Sequence, residues 1–297
     1  MSSLPPMPLL SMSTKEVIGH CKSLKDCEDG RKTLFIASYP KSGTTWMQAI
    51  IYNILTDGNQ DFKHISEYSP FYEIEKTWNL SAGAIQDRYN ERHKNLGWRV
   101  FNTHLRWNML PKEPNMRYIY VVRNGKDVVL SFFQHLSNQD DADCFQGTLV
   151  EFVEQWCDGK IPFGNWLHHL QSWMEAYKSQ VAESGKILLV RYEDMTHEPL
   201  DTLKRIIVHM GLNISDQRAQ EILHYVSFDY MKAHQTQYMP ISVPWKEGYS
   251  FIRNGKVGDS KNFFTEEHDA VYERMIQRIR DENNGNLPDW LAELEVV

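Results

Sequence analysis

The stretch from residue 39 to residue 46, YPKSGTTW, combines a cation, a glycine and hydroxyl groups in a way that suits an anion. Lys41 adds a full positive charge, and Gly43 lets the backbone approach a ligand closely. Thr44 and Thr45 offer hydroxyls and backbone N–H groups at the predicted beginning of a helix, where unpaired amides and the helix dipole favour an anion. We interpret the stretch as a P-loop-like phosphate cradle, although an ordinary turn with a surface lysine can have the same residues.

A second cation, Arg123, follows the apolar stretch 118–122. At the corresponding place, nucleotide kinases and NTPases of the P-loop type have an aspartate that helps to hold Mg²⁺. An arginine has the wrong charge for a metal and the right charge for a second phosphate, so we predict an anion site without a metal. The glycine pattern also differs from the GxxxxGKS/T loop of those enzymes, because the single glycine follows the lysine.

Two side chains on the segment after Arg123 bear on this second site. Ser131 lies two helical turns further along and can add a hydroxyl to a phosphate site. Asp127 lies four residues after Arg123, so a structural salt bridge within the helix is an alternative role for the arginine. The spacing alone leaves both interpretations open.

Alternating strands and helices must position these residues. Short apolar stretches predict strands at residues 33–39, 99–103, 118–122 and 187–190. Helical periodicity and capping residues predict helices at 44–55, 124–136 and about 198–210. They also predict a fourth helix capped by Ser215 and a last helix that begins at Thr265. This order predicts an α/β fold with a central, mainly parallel sheet flanked by helices. Ligands of such sheets bind at the carboxyl ends of the strands, so the loops there should meet.

Composition narrows the class of protein. With 297 residues, 41% of them hydrophobic and 24% charged, the chain can bury a core, and we expect one domain over residues 1–297. A net charge of −7 argues against nucleic acid as a partner. No apolar run is long enough to span a membrane, so no membrane association is expected.

The beginning of the chain and the cysteines indicate the compartment. Residues 1–30 lack the pattern of a secretory signal, and their prolines predict a loosely ordered segment. The four cysteines have neither CxxC spacing nor histidine partners for zinc. We therefore expect free thiols and a reducing, cytoplasmic location.

Six patterns in order along the chain resemble the cytosolic sulfotransferase family. They are YPKSGTTW at 39–46, NTHL at 102–105, RNGKDVVLS at 123–131, YEDM at 192–195, SFDYMK at 227–232 and RNGKVGDSKNFFT at 253–265. Six ordered matches are far more specific than any one of them. The resemblance implies an enzyme that moves a sulfonate group from 3′-phosphoadenosine-5′-phosphosulfate (PAPS) to an acceptor, leaves 3′-phosphoadenosine 5′-phosphate (PAP) as product, and uses no metal.

The resemblance also implies which residues hold the donor. The 5′-phosphosulfate would contact Lys41, Ser42, Gly43, Thr44, Thr45 and Trp46. The 3′-phosphate would contact Arg123, Ser131, Arg253, Asn254 and Gly255. The adenine would lie among Trp46, Tyr192, Ser227, Phe228 and Met231. These residue types suit the parts of the donor, since arginines bind phosphate in a bidentate way and aromatic rings cover a base.

The chemistry that the family uses gives two residues catalytic roles. His104 would act as general base, because an imidazole can take a proton from an acceptor hydroxyl at neutral pH. Lys41 would neutralise the bridging oxygen of the departing phosphate during in-line transfer. The acceptor would be a small hydrophobic molecule with a hydroxyl or amine. The predicted acceptor-binding residues are Asn102, Thr103, His104, Phe71, Tyr238 and Met239.

The chain departs from the family's patterns near the predicted active site. Asn102 stands where many members have a lysine. The asparagine can still make a hydrogen bond, but it lacks the positive charge of the lysine. Arg106 replaces a proline, Asn254 replaces a lysine and Ser260 replaces a tryptophan. Asn102 leaves open a PAPS-binding protein with weak or no catalysis, and a P-loop-type kinase or NTPase is the other alternative.

The family's short dimerisation pattern, KxxxTVxxxE, is also changed. In residues 261–270 the valine has become Glu266 and the final glutamate has become Ala270. A charge in place of an apolar contact should disfavour that two-fold interface. We therefore expect a monomer, or a dimer that uses a surface other than 261–270.

Overall fold

A four-stranded sheet forms the centre of the computed structural model, which describes residues 4–80, 86–141, 143–181 and 185–297. The strands of the chain are β1 Lys32–Ser38, β2 Trp78–Asn79, β3 Gln86–Asp87, β4 Trp98–Thr103, β5 Met116–Val122 and β6 Ile187–Arg191. The central sheet has the order β4-β1-β5-β6 with every pair parallel, and β2 and β3 form a separate antiparallel pair. The predicted fold class is confirmed.

Helices surround the sheet. The α-helices are α1 Lys15–Ser23, α2 Thr44–Leu55, α3 Asn90–Leu96, α4 Gly125–Ser137, α5 Leu149–Cys157, α6 Trp166–Val181, α7 Tyr192–His197, α8 Pro199–Met210, α9 Asp216–Tyr225, α10 Phe228–Ala233, α11 Glu266–Glu282 and α12 Asp289–Ala292. Short 3₁₀ helices occupy Ile65–Glu67, Glu75–Thr77, Trp107–Met109, Gln235–Gln237 and Asp259–Asn262. Among the described residues, no helix is both long enough and apolar enough to cross a membrane.

The apolar strands are buried on both faces, because helices cover both. Along β1, Leu34 and Ile36 belong to one apolar core together with residues of α2, α8 and α9, whereas Phe35 and Ala37 belong to a second core with residues of α1, α4, α5, α6 and α11. Continuous apolarity is typical of such doubly covered parallel strands. Burial of each large apolar side chain contributes about 1.5–3 kcal/mol, so the sheet is a rigid base for the loops at its edge.

The N-terminal segment differs from the expectation for residues 1–30. Residues 15–23 form α1, whose Val17 and Cys21 are completely buried, and the Tyr72 hydroxyl donates to the Cys21 carbonyl oxygen at 2.8 Å. The expected loose order therefore does not hold for this helix, and residues 1–3 lie outside the described part of the chain. A nine-residue helix with few apolar positions gives a weak periodic signal, and tertiary contacts stabilise it.

The helix ends agree with the sequence in two places and differ in a third. The predicted helix 44–55 has the same bounds as α2, and the Ser215 hydroxyl accepts from the Arg218 N–H as the predicted cap of α9. Thr265 begins α11 as expected, but α12 follows it, so the helix at Thr265 is not the last.

Candidate active site

Each strand of the central sheet ends beside one cavity of about 840 Å³. The lining residues that follow the strands are Lys41 after β1, His104 after β4, Arg123 after β5 and Tyr192 after β6. The carboxyl ends of β4, β1 and β5 lie side by side, because Ala37 pairs with Thr103 and Ser38 pairs with Val121. Four loops therefore meet at the carboxyl edge, where parallel sheets bind ligands.

The loop between β1 and α2 has the geometry of an anion cradle. Gly43 adopts φ 109°, and a Cβ there would lie 2.8 Å from the Tyr192 ring, so the site requires glycine. Among the residues that the structure describes, no side chain caps the first turn of α2, which leaves its backbone N–H groups free for a ligand. The Thr44 hydroxyl lies 2.5 Å from the Ser38 hydroxyl. These donors suit an anionic group.

Lys41 lies at the mouth of this cradle among other cations. Its Nζ is 3.2 Å from His135 Nδ1 and 4.4 Å from the centre of the Phe251 ring. Burial, and next the charges of Arg123 and Arg253, lower the pKa of Lys41 to about 7. A bound anion would offset this repulsion and favour the ammonium form.

His104 has the tautomer that a general base requires. Its Nδ1 lies 2.8 Å from the Ser38 carbonyl oxygen, which can only accept, so Nδ1 holds the proton and Nε2 keeps its lone pair. Burial first, and then the charge of Lys41, lower the pKa of His104 to about 4, although the Ser38 bond opposes this. The imidazole is therefore neutral and able to accept a proton at pH 7.

Two buried side chains hold the backbone of His104. The Glu73 carboxyl accepts from the His104 N–H at 2.6 Å, and His169 Nε2 donates to the His104 carbonyl oxygen at 3.0 Å. His169 Nδ1 in turn accepts from the Tyr120 hydroxyl at 2.9 Å. Burial raises the pKa of Glu73 to about 8, so this carboxyl is protonated at neutral pH. His104 is thus fixed at its N–H, its carbonyl and its ring.

A second group of cations lies beyond the cradle. Arg123 donates through Nη1 to the Lys41 carbonyl oxygen at 3.2 Å and stands 4.3 Å over the Tyr192 ring. Its buried Nε has no partner within the described part of the chain, as expected for a donor that awaits an anion. Arg253 Nη2 lies 2.5 Å from Asp259 Oδ2, and Asn254 Nδ2 lies 2.6 Å from Asp259 Oδ1. Asp259 therefore orients two of the predicted 3′-phosphate ligands.

The structural alternative for Arg123 applies in part. Asp127 lies 3.7 Å from Arg123 Nη2. The shorter bonds of this carboxylate come from the backbone N–H groups of Gly258 at 2.7 Å and Ser260 at 2.9 Å. Asp127 thus fixes the turn at 258–260 and also steadies the arginine, which still lines the cavity.

Aromatic rings stand where the adenine would lie. The Trp46 and Tyr192 rings are 5.4 Å apart, and the Tyr192 hydroxyl donates to the Gly255 carbonyl oxygen at 3.1 Å. Phe228 and Met231 complete this part of the cavity wall. A Cβ at Gly255 would lie 2.5 Å from the Phe228 ring, so the close approach depends on glycine.

The opposite end of the cavity is largely apolar around His104. The rings of Phe71 and Phe163 lie 5.3 Å and 5.2 Å from the His104 ring. Asn102 lines the cavity, and its Nδ2 donates to the Ser69 carbonyl oxygen at 2.7 Å. Other apolar or aromatic residues that line the cavity include Leu9, Leu10, Met12, Phe145, Tyr238 and Ile241.

Most of the predicted site residues meet in the cavity, but four do not line it. Ser42 is buried in the loop, and Thr103 is buried with its hydroxyl accepting from the Leu105 N–H at 3.1 Å. Ser227 caps α10, and the Met239 carbonyl oxygen lies 2.8 Å from His64 Nε2.

Several cavity or supporting residues were not predicted. They are Glu73, His135, Phe163, Phe251 and Asp259. Asp259 lies within the sixth motif, and His135 lies one helical turn after Ser131 on the same face, so both had a signal in the sequence. The other three lie in irregular segments, where periodicity gives no indication of side-chain direction. Within the described ranges, no group of three or more His, Cys, Asp or Glu side chains could hold a metal.

Comparisons with known proteins indicate the family. The sulfotransferase domain family matches residues 31–288. The chain is 32% identical over 258 residues to Sulfotransferase 1B1 of Canis lupus familiaris, which covers 82% of this chain and 83% of the relative. It is 33% identical over 262 residues to Sulfotransferase 1E1 of Homo sapiens, with 82% and 83% covered.

Solved structures share the fold. Mouse sulfotransferase SULT7A1 complexed with PAP is similar with a TM-score of 0.68 at 26% identity, over 93% of this chain and 94% of that one. Retinol dehydratase in a complex with retinol and PAP has a TM-score of 0.69 at 19% identity, over 92% and 88%. The predicted family and donor-dependent reaction are confirmed. The chain therefore belongs to the sulfotransferase family and is a PAPS-dependent sulfotransferase.

Proposed function

We propose that the cavity binds PAPS along the carboxyl edge of the sheet and that His104 and Lys41 catalyse sulfonate transfer to a small hydrophobic acceptor. The observation behind this proposal is the position of Ser38 at the end of β1. Its hydroxyl lies 2.5 Å from the Thr44 hydroxyl of the cradle, and its carbonyl oxygen accepts from His104 at 2.8 Å. One residue thus fixes the distance between the anion cradle and the base.

The residues around the cradle provide binding and charge. Bound PAPS supplies a sulfonate group that is activated by its link to phosphate. The loop amides and the hydroxyls of Thr44 and Thr45 donate to the negative oxygens at this end, and Lys41 adds a charge where the departing phosphate becomes more negative. Arg123 and Arg253, with Ser131 and Asn254, hold the 3′-phosphate.

His104 removes the proton from the acceptor. Nε2 accepts the proton of the attacking hydroxyl or amine, while Nδ1–H stays bound to the Ser38 carbonyl oxygen. In the free protein Lys41 opposes the imidazolium form, and a bound anion offsets that charge and raises the pKa of His104. The base therefore becomes stronger when the donor is in place.

The walls near His104 favour an apolar acceptor. Phe71 and Phe163 lie beside His104, Tyr238 also lines the cavity, and the Asn102 amide is engaged with Ser69. A hydrophobic alcohol, phenol or amine makes apolar contacts with these walls and presents one polar group to His104. The acceptor contacts predicted for Thr103 and Met239 would have to be made through movement of their segments.

Turnover of radiolabelled PAPS with a panel of phenols, sterols and amines, with and without EDTA, tests the reaction. We expect transfer that EDTA leaves unchanged. Magnesium-dependent ATP turnover without sulfonation would favour the kinase alternative, and donor binding without transfer to any acceptor would favour a binding protein.

A variant separates the role of His104 from donor binding. His104→Ala should bind PAP with unchanged affinity and lose about 10²- to 10⁴-fold in kcat, since general bases contribute that much. Full activity of this variant would refute the assignment of the base. Leu9→Ala, in the apolar wall, is a control that should change the KM for the acceptor instead.

The remaining parts of the proposal concern the whole molecule. We propose one sulfotransferase domain over residues 1–297 that works in the cytoplasm as a monomer, or as a dimer through a surface other than 261–270. The four cysteines support a reducing compartment because all of them are free thiols. Because Cys21 and Cys157 are buried, the thiols must be titrated in denaturant without a reductant. Four thiols are expected, and two would contradict the proposed compartment.

A further inference from the structure

His135 of α4 makes an unexpected contact with the proposed catalytic lysine. Its Nδ1 lies 3.2 Å from Lys41 Nζ, and the Phe251 ring centre lies 4.4 Å from the same ammonium. Lys41 belongs to an irregular loop and adopts φ 68°. No helix or strand of its own therefore fixes the direction of its side chain. The partner on α4 belongs to a rigid element and lines the cavity.

The contact is a hydrogen bond with defined roles. An ammonium group can only donate, so His135 Nδ1 accepts and the imidazole is the neutral tautomer with its proton on Nε2. Burial, followed by the charges of Lys41 and His104, holds the pKa of His135 well below its usual range, which agrees with a neutral ring.

The surroundings of Lys41 make this acceptor important. Arg123 and Arg253 both repel the ammonium. Over the ranges that the structure describes, no carboxylate lies within ion-pair distance of Lys41 Nζ. His135 is thus the side-chain acceptor that holds the ammonium among like charges. The Trp245 ring lies 4.8 Å from the imidazole ring and packs against it.

We propose that His135 is a positioning residue for sulfonate transfer, whose Nδ1 holds the Lys41 ammonium in the place where the departing phosphate needs a positive charge. This inference rests on the proposed role of Lys41. Since lysine has several rotatable bonds, an acceptor on a helix reduces the freedom of the ammonium before the donor binds. The imidazole also favours the protonated amine, because it accepts from it.

Two substitutions separate this role from simple packing. His135→Asn keeps an acceptor close to the position of Nδ1 but loses the ring, whereas His135→Phe keeps a ring and loses the acceptor. We expect His135→Phe to lower kcat about tenfold with little change in the KM for PAPS, and His135→Asn to recover most of that loss. The opposite order, with His135→Phe active and His135→Asn impaired, would show a packing role and overturn the proposal.

A measurement on the free protein avoids dependence on turnover. An acylating reagent labels only the neutral amine, and peptide mass spectrometry gives the rate at Lys41. At pH 6, below its pKa of about 7, Lys41 of the wild type is mostly protonated. Without its acceptor the Lys41 pKa should fall, so His135→Phe should be labelled several-fold faster at pH 6, with His135→Asn near the wild type. Equal rates in all three proteins would refute the inference. His197→Phe, at an exposed position, is the matched control and should behave as the wild type.

The variant Lys41→Met distinguishes failure of this inference from failure of the proposed function. Full turnover by Lys41→Met would refute the catalytic role of the lysine itself. A large loss in Lys41→Met together with wild-type labelling and kcat in His135→Phe would refute the role of His135 alone.

Discussion

The backbone N–H of His104 donates to the carboxyl of Glu73 at 2.6 Å, and Glu73 is completely buried. Its second oxygen, Oε2, has no hydrogen-bond partner among the described residues. Burial without a cation raises the pKa of this carboxyl to about 8. The proposed general base is therefore anchored by an acid that is neutral at pH 7 and that loses its proton in the unfolded chain.

This linkage predicts how stability changes with pH. Between the usual pKa of 4.5 and the folded value of about 8, the folded state keeps the Glu73 proton and the unfolded state releases it. The free energy of unfolding should therefore fall as the pH rises through this window, by a few kcal/mol at most, at about 1.4 kcal/mol per pKa unit. Glu73→Gln should remove this fall. Urea unfolding at pH 5, 6.5 and 8 measures it, and parallel curves for the two proteins would contradict the prediction.

The pH dependence of turnover should report two other shifted groups. His104, with a pKa of about 4, stays a free base down to pH 5, and Lys41, with a pKa of about 7, loses its charge above neutrality in the free protein. We expect kcat/KM for PAPS to persist at pH 5–6 and to decline above about pH 7. The decline in kcat should occur at higher pH, because the bound anion stabilises the ammonium. An acid limb near 6.5, the ordinary histidine value, would refute the first expectation.

Arg253 gives a prediction about donor affinity. Asp259 holds its guanidinium at 2.5 Å next to the cavity, so the arginine is oriented before any ligand arrives. Arg253→Ala should weaken PAP binding about tenfold or more, as expected for a lost hydrogen bond to a charged group, with a smaller effect on kcat. Calorimetric titration with PAP measures this. Arg274→Ala, exposed on α11, should leave the affinity unchanged, and an equal effect of both variants would indicate a general loss of positive charge.

Arg106 links the N-terminal segment to the acceptor end of the cavity. Its Nη1 donates to the Pro5 carbonyl oxygen at 2.7 Å, and residues 9–12 of that segment line the cavity. The backbone of Arg106 has φ −66°, which suits the proline found in the family, so Arg106→Pro should change the side chain without straining the chain. We expect a several-fold rise in the KM for hydrophobic acceptors and unchanged PAP affinity. A rise in both the KM for acceptors and the Kd for PAP would indicate damage beyond the N-terminal segment.

The surface at 261–270 gives a prediction about assembly. Glu266 and Ala270 are exposed on α11. The double variant Glu266→Val, Ala270→Glu restores the family's pattern, so it should dimerise more readily than the wild-type chain, because an apolar contact replaces a charge. Sedimentation velocity over a range of concentrations measures the change. If the wild-type chain forms a dimer and substitutions at 261–270 disrupt that dimer, the proposed monomer is refuted.

Local patterns in the sequence determined the parts of this protein that depend on near neighbours. The strand before the cradle, the loop and α2 follow one another within residues 32–55, and an apolar run, a glycine and two threonines are sufficient to predict them. Arg123 at the end of β5 likewise indicated an anion in place of a metal. The resemblance of six motifs added the family, the donor and the chemistry.

Tertiary structure decided which of these residues meet and how their protons are held. Ser38 joins His104 to the cradle, Glu73 contacts the backbone of His104, and His135 contacts Lys41 across 94 positions of sequence. None of these contacts follows from spacing, because the order β4-β1-β5-β6 brings together strands that are distant in the chain. The pKa values likewise depend on burial and on neighbouring charges, and those exist only after the sheet and its helices have packed.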